Sequence, residues 1–127
     1  MNKTYIFKLS LFVLIGVTSA AMDTVSHHYA GSVFESFGYD QFFDPSISWL
    51  NKYKDCDPSK GEAFLFASTW LSWTTDFWHM AKFAMLNCLT IAALPKMSKW
   101  WHYVVAFVSL RVAFQIGFTL CYDYLFV

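Results

Sequence analysis

Four side chains carry the clearest chemistry in this sequence: Asp23 and His27, four residues apart, and Asp76 and His79, three apart. Both spacings place a pair on one helical face. Carboxylates beside imidazoles support three kinds of chemistry. Together they can hold a divalent metal ion, because imidazole suits zinc, copper, iron and nickel and carboxylates add oxygen donors. They can relay a proton, because histidine titrates near neutrality. They can also simply hydrogen-bond between helices and fix packing. All four stand in or beside apolar stretches, where an ionisable group is expensive and turns toward protein or water.

The elements that position them follow from composition. The chain has 127 residues, of which 57% are hydrophobic, 21% aromatic and only 14% charged. A soluble domain carries roughly a quarter charged residues, so the shortfall points to lipid as the solvent. One domain is expected at this length. The net charge is zero, with no basic run and no glycine-rich phosphate loop, which argues against nucleic acid. Cys56, Cys88 and Cys121 are odd in number and form no CxxC pair, so neither a disulfide framework nor a zinc knuckle is expected.

The expected fold is all-α and membrane-integral, with three transmembrane helices over about 4–37, 60–94 and 99–127. Lys3 and Lys8 precede the apolar run Leu9 to Val17. Ser19-Ala20-Ala21 fits a signal-peptide cleavage site, so residues 1–21 read either as a cleaved leader or as the first span. Met22, Val25, Tyr29, Val33 and Phe37 keep helical spacing beyond it. The outer loop, 38–59, contains Asp44-Pro45, an N-cap followed by proline at the first helical position, which predicts a short interfacial helix near 45–53. Ser59 and Glu62 have capping-box spacing and open the second helix, which stops before Pro95. Trp100, Trp101 and Tyr103 mark the entry of the third helix, and Tyr122 and Tyr124 its exit.

Lysine distribution orients the chain. Lys3 and Lys8, with Lys96 and Lys99 in the second loop, put the N-terminus in the cytoplasm and the C-terminus outside. Antiparallel registration then sets depth. Asp23 falls level with Thr75 and Asp76, His27 about a turn above and His79 about a turn below. On the second helix Ser68, Ser72, Thr75, Asp76, His79, Asn87 and Thr90 share a face, and on the third Arg111, Gln115, Thr119 and Asp123 form a ladder of four-residue steps. His79 is level with Gln115 and Asp76 is near Thr119, while Arg111 lies roughly two turns deeper.

Other signals are weaker. Asp55-Cys56-Asp57-Pro58-Ser59 begins like a calcium loop, but the glycine and glutamate fall at the wrong positions for one. Lys82 reads as a snorkelling or helix-pairing charge. The run Ser68-Thr69-Trp70-Leu71-Ser72-Trp73-Thr74-Thr75-Asp76-Phe77-Trp78-His79 resembles a stretch in small bacterial membrane proteins of unassigned function. That resemblance covers about the middle half of the chain and implies a bacterial inner-membrane home, without an activity.

The leading expectation is therefore a small inner-membrane protein in which Asp23, His27, Asp76 and His79 hold a divalent metal ion or a polar ligand. Ser72, Gln115, Thr119 and Arg111 would support that site. The expected partners are the lipid bilayer and either further copies of the chain or other membrane subunits, since three helices enclose little volume. Two rivals stand beside it: an accessory subunit whose charges pair with a partner, and a membrane enzyme acting on a lipid headgroup. The latter requires a cavity beside Asp76.

Overall fold

The computed structural model describes residues 2–122 and Leu125. Among them the chain is helical, with no strand beyond one isolated antiparallel bridge between Tyr53 and Glu62.

Helix α1 spans Lys3–His27. Asn2 caps it, its side chain accepting from the Thr4 amide at 3.0 Å. Hydroxyls inside the helix bond back to its own carbonyls, as Thr18 does to Leu14 and Thr24 to Ala20, which satisfies these polar groups on an otherwise apolar rod. The helix ends sooner than the expected 37. His28 leaves helical geometry and Gly31 turns the chain at φ +80, a conformation that suits glycine.

The loop that follows is built of single turns. These are α2 (Val33–Ser36), α3 (Asp40–Phe43) and α4 (Pro45–Ser48), the last continuing as a 3-10 turn over Trp49–Lys52. The Asp44 cap forms as expected, accepting from the Ser46 amide at 2.9 Å. Phe34 and Phe43 each meet Phe77 with ring centroids 4.9 Å apart, and Phe37 and Phe42 join the cluster. These aromatic rings fold the loop over the start of the next helix.

That helix, α5, spans only Phe77–Ala93. The expected continuous helix over 60–94 does not form in its first half, for two local reasons. Glu62 does not reach back to Ser59 as a capping box would. It gathers the Phe66 and Ser68 amides at 3.1 Å each, and the Ser68 hydroxyl, around a bend where Phe66 has φ +64. Ser59 bonds to Asp57 instead. Further on, Ser72, Thr74 and Thr75 each donate to the carbonyl three residues earlier, the competition that disfavours helix in serine- and threonine-rich runs. Helix resumes only once Asp76 supplies an N-cap.

Helix α6 spans Trp100–Cys121. Among the described residues two helices, α1 and α6, are long and apolar enough to cross a membrane. α1 packs along α5 and runs antiparallel to it, since Ser26 near the end of α1 and Asp76 at the start of α5 line one pocket. Leu11 and Val25 are the buried residues of α1, and Ala81 and Ala92 those of α5. Small residues such as the two alanines let helices approach closely. α6 returns beside α5, with Lys82 Nζ 4.4 Å from the Phe118 ring and the Arg111 guanidinium 5.8 Å from the Phe83 ring. None of its described residues is buried.

Candidate functional site

The site grows from the break before α5. Asp76 has extended backbone and directs its carboxylate along the first turn of the helix. Oδ1 accepts from the His79 amide at 2.9 Å, and Oδ2 meets the His79 ring at Nδ1, 2.7 Å away. The cap and the carboxylate–imidazole contact are thus one side chain's work. The Thr75 hydroxyl lies 3.1 Å from the same Oδ2 and 2.7 Å from the Ser72 carbonyl. Having one hydrogen, it serves one acceptor at a time.

Burial makes the pair asymmetric. Asp76 is 1% exposed, whereas the His79 side chain keeps 28% of its surface open. Against an ionised carboxylate, which only accepts, Nδ1 would carry the hydrogen and leave Nε2 for another partner. The pair lies at a pocket of about 320 Å³ whose other walls are Ser26, Pro45, Ser48, Trp49 and Trp78. Trp78 stands edge to face with the His79 ring at 5.2 Å. Such an imidazole can bind a ligand oxygen or exchange a proton with it.

Asn51 ties this corner together. Its amide nitrogen donates to the Gln41 carbonyl at 2.7 Å and lies 2.8 Å from the Thr75 carbonyl, and its oxygen accepts from the Gln41 side chain at 2.6 Å. The outer loop, its 3-10 turn and the residue before Asp76 are held by one amide.

The expected four-residue shell does not assemble. Among the described residues, no three His, Cys, Asp or Glu side chains lie together as a metal-holding group. Asp23 and His27 are exposed, and the reason is rotational. Val25 points into the packing of the helices, 2% exposed, and residues two positions to either side are turned about 200° away from it at 3.6 residues per turn. Ser26 reaches the pocket in place of Asp23 and His27.

The supporting residues divide similarly. Ser72 contributes through its carbonyl rather than its hydroxyl. Gln115 donates to Thr119 along α6 at 3.3 Å, and Arg111 lies between Phe83 and Phe114, so these three belong to α6 and its seam with α5. Asp123 and Tyr124 fall outside the described residues. Lys82 stacks over Trp78 at 5.0 Å as well as over Phe118, consistent with a helix-pairing charge.

Sequence reasoning missed Ser26, Ser48, Trp49 and Asn51 as site residues and read Thr75 only as part of the polar face of the second helix. Thr75-Asp76 before an apolar run is itself an N-cap signal. The other residues carry no motif. Compared with known proteins, the chain matches no family model, no curated protein and no solved structure.

Proposed function

We propose that this chain is a three-span protein of a bacterial inner membrane that binds a polar ligand, a lipid headgroup, at the Asp76–His79 pair. α1 and α6 have the length and apolarity of spans. α5 has 17 residues, about 25 Å of helix, against a hydrocarbon core of ~30 Å. As a third span it puts Lys3, Lys8, Lys96 and Lys99 on one side, which the positive-inside rule makes cytoplasmic. The pocket then opens at the outer interface, where Trp49 and Trp78 match the usual depth of aromatic anchors.

The observation that carries this reading is the buried Asp76 carboxylate, 2.7 Å from Nδ1 of a half-open imidazole at the wall of a pocket. Asp76 orients the ring, and Nε2 meets a headgroup oxygen or hydroxyl. Ser26 and Ser48 offer two further hydroxyls. Phospholipid retention by the purified full chain, read by native mass spectrometry, tests it. His79→Ala lowers retention about tenfold, the effect of losing one hydrogen bond to a charged group, while Asp23→Asn leaves it unchanged. Equal retention by wild type and His79→Ala would sink the proposal.

A second reading is supported by the same lining. A serine hydroxyl, an imidazole and a buried carboxylate at one pocket are the parts of an acyl-transfer site. Neither Ser26 nor Ser48 is hydrogen-bonded to His79 here, which makes binding the better-supported reading. Turnover of a headgroup ester by wild type and its loss in Ser48→Ala would reverse that order.

A further inference from the structure

Arg111 stands at the middle of α6, eleven residues after Trp100 and ten before Cys121. Its Nη1 is enclosed and has no hydrogen-bond partner among the described residues. The guanidinium lies 5.8 Å from each of the Phe83 and Phe114 rings, which give it aromatic faces but no acceptor. The rest of the side chain is half-buried on a helix none of whose described residues is buried.

An arginine at that position is expensive, because the centre of a ~30 Å hydrocarbon core has no water to offer. Snorkelling serves charges near helix ends, and a single side chain is too short to reach the headgroups from the midpoint. Among the described residues of α1, α5 and α6, no carboxylate lies at this depth. α5 and the described part of α6 contain no Asp or Glu, and the only acid in α1, Asp23, lies near its far end. The Asp76 cap is seven residues from Phe83, about 10 Å along the axis. A second copy brings the same described helices, which carry no carboxylate at this depth.

We infer that α6 docks a transmembrane helix of a different protein that carries an aspartate or glutamate near its own midpoint, paired with Arg111. The exposed apolar residues of α6, among them Val108, Val112 and Ile116, would supply the surrounding lipid-facing contact. A guanidinium–carboxylate pair is geometrically selective and gains strength where water is excluded. This inference rests on α6 being a span, as proposed above, and is independent of what the Asp76 pocket binds.

The test uses the labelled full chain in phosphatidylcholine vesicles and two synthetic leucine-rich transmembrane peptides, one with a single central glutamate and one with leucine there. Energy transfer reads association. The glutamate peptide binds about tenfold more tightly than the leucine peptide, and Arg111→Leu abolishes that preference. Equal binding of the two peptides to wild type overturns the inference, whether or not the variant folds. So does a preference that survives Arg111→Leu, or self-association of the wild-type chain that disappears in the variant. Alkaline extraction separates the premises: a chain washed off the vesicles overturns the membrane reading and the docking with it, whereas an inserted chain without preference overturns the docking alone.

Discussion

Asp76 holds His79 through two bonds from one carboxylate, Oδ1 to the backbone amide at 2.9 Å and Oδ2 to the ring at 2.7 Å. The first starts a helix and the second aims an imidazole. Two variants separate them. Asp76→Ala loses both and lowers stability by about 1–3 kcal/mol, whereas Asp76→Asn keeps an oxygen for the amide and recovers roughly 1 kcal/mol of it. Unfolding in mixed detergent, followed by circular dichroism, measures the difference. Equal losses in the two variants would mean that capping is not what Asp76 contributes.

Val25 and its neighbours test the rotation of α1. Val25→Ala opens space in the seam with α5 and costs about 1–2 kcal/mol. Asp23→Ala and His27→Ala, both exposed, change stability by no more than about 0.5 kcal/mol. The same unfolding assay ranks them. A larger loss for Asp23→Ala than for Val25→Ala would place the wrong face of α1 against α5.

Asn51 is the latch between the outer loop and the start of α5. Asn51→Ala removes its bonds to the Gln41 and Thr75 carbonyls and leaves the Thr75 carbonyl without that donor, at a cost of about 1–3 kcal/mol. The loosening is local. Proteolysis within residues 38–60 accelerates while protection of the α5 amides persists. Unchanged cleavage would show that the Phe34, Phe43 and Phe77 rings hold the loop unaided.

Alkaline titration reads the contact between Tyr29 and Asp40. The Tyr29 hydroxyl donates to the Asp40 carboxylate at 2.6 Å, and that bond, with smaller help from desolvation and neighbouring acids, pushes its pKa from 10.0 up to about 12. The raised value belongs to the folded state, so the contact's contribution is complete below pH 10.0 and fades as pH rises through about 12. In tyrosinate absorbance the component that ionises at about pH 12 is absent from Tyr29→Phe. Identical upper limbs in the two titrations would contradict the bond.

Acid titration reads Glu62 with the opposite sign. Its bonds from Ser68, hydroxyl first and then amide, and from the Phe66 amide hold the carboxyl below its ordinary 4.5. The contribution is therefore present above 4.5 and lost as pH falls through the depressed value. Protection of the Ser68 amide from hydrogen exchange should fall in acid for wild type and be low at every pH in Glu62→Ala. Acid-independent protection in the wild type would exclude Glu62 as the anchor of this bend.

The sequence by itself determined the helical character, the apolar runs that became α1 and α6, and the Asp44-Pro45 cap. These follow from composition and periodicity, which are local or additive. Only the tertiary structure decided which way each helix turned. A rotation of two residues sends Asp23 and His27 away from the pocket and brings Ser26 to it, and the choice depends on how Leu11 and Val25 pack against α5. The break over 61–76 was also hidden. Its residues keep helical spacing, but their hydroxyls and Glu62 capture backbone groups that a helix would need, and the outcome of that competition is settled by the Asp76 cap and the contacts of Asn51 and Phe77 from the far side of the loop.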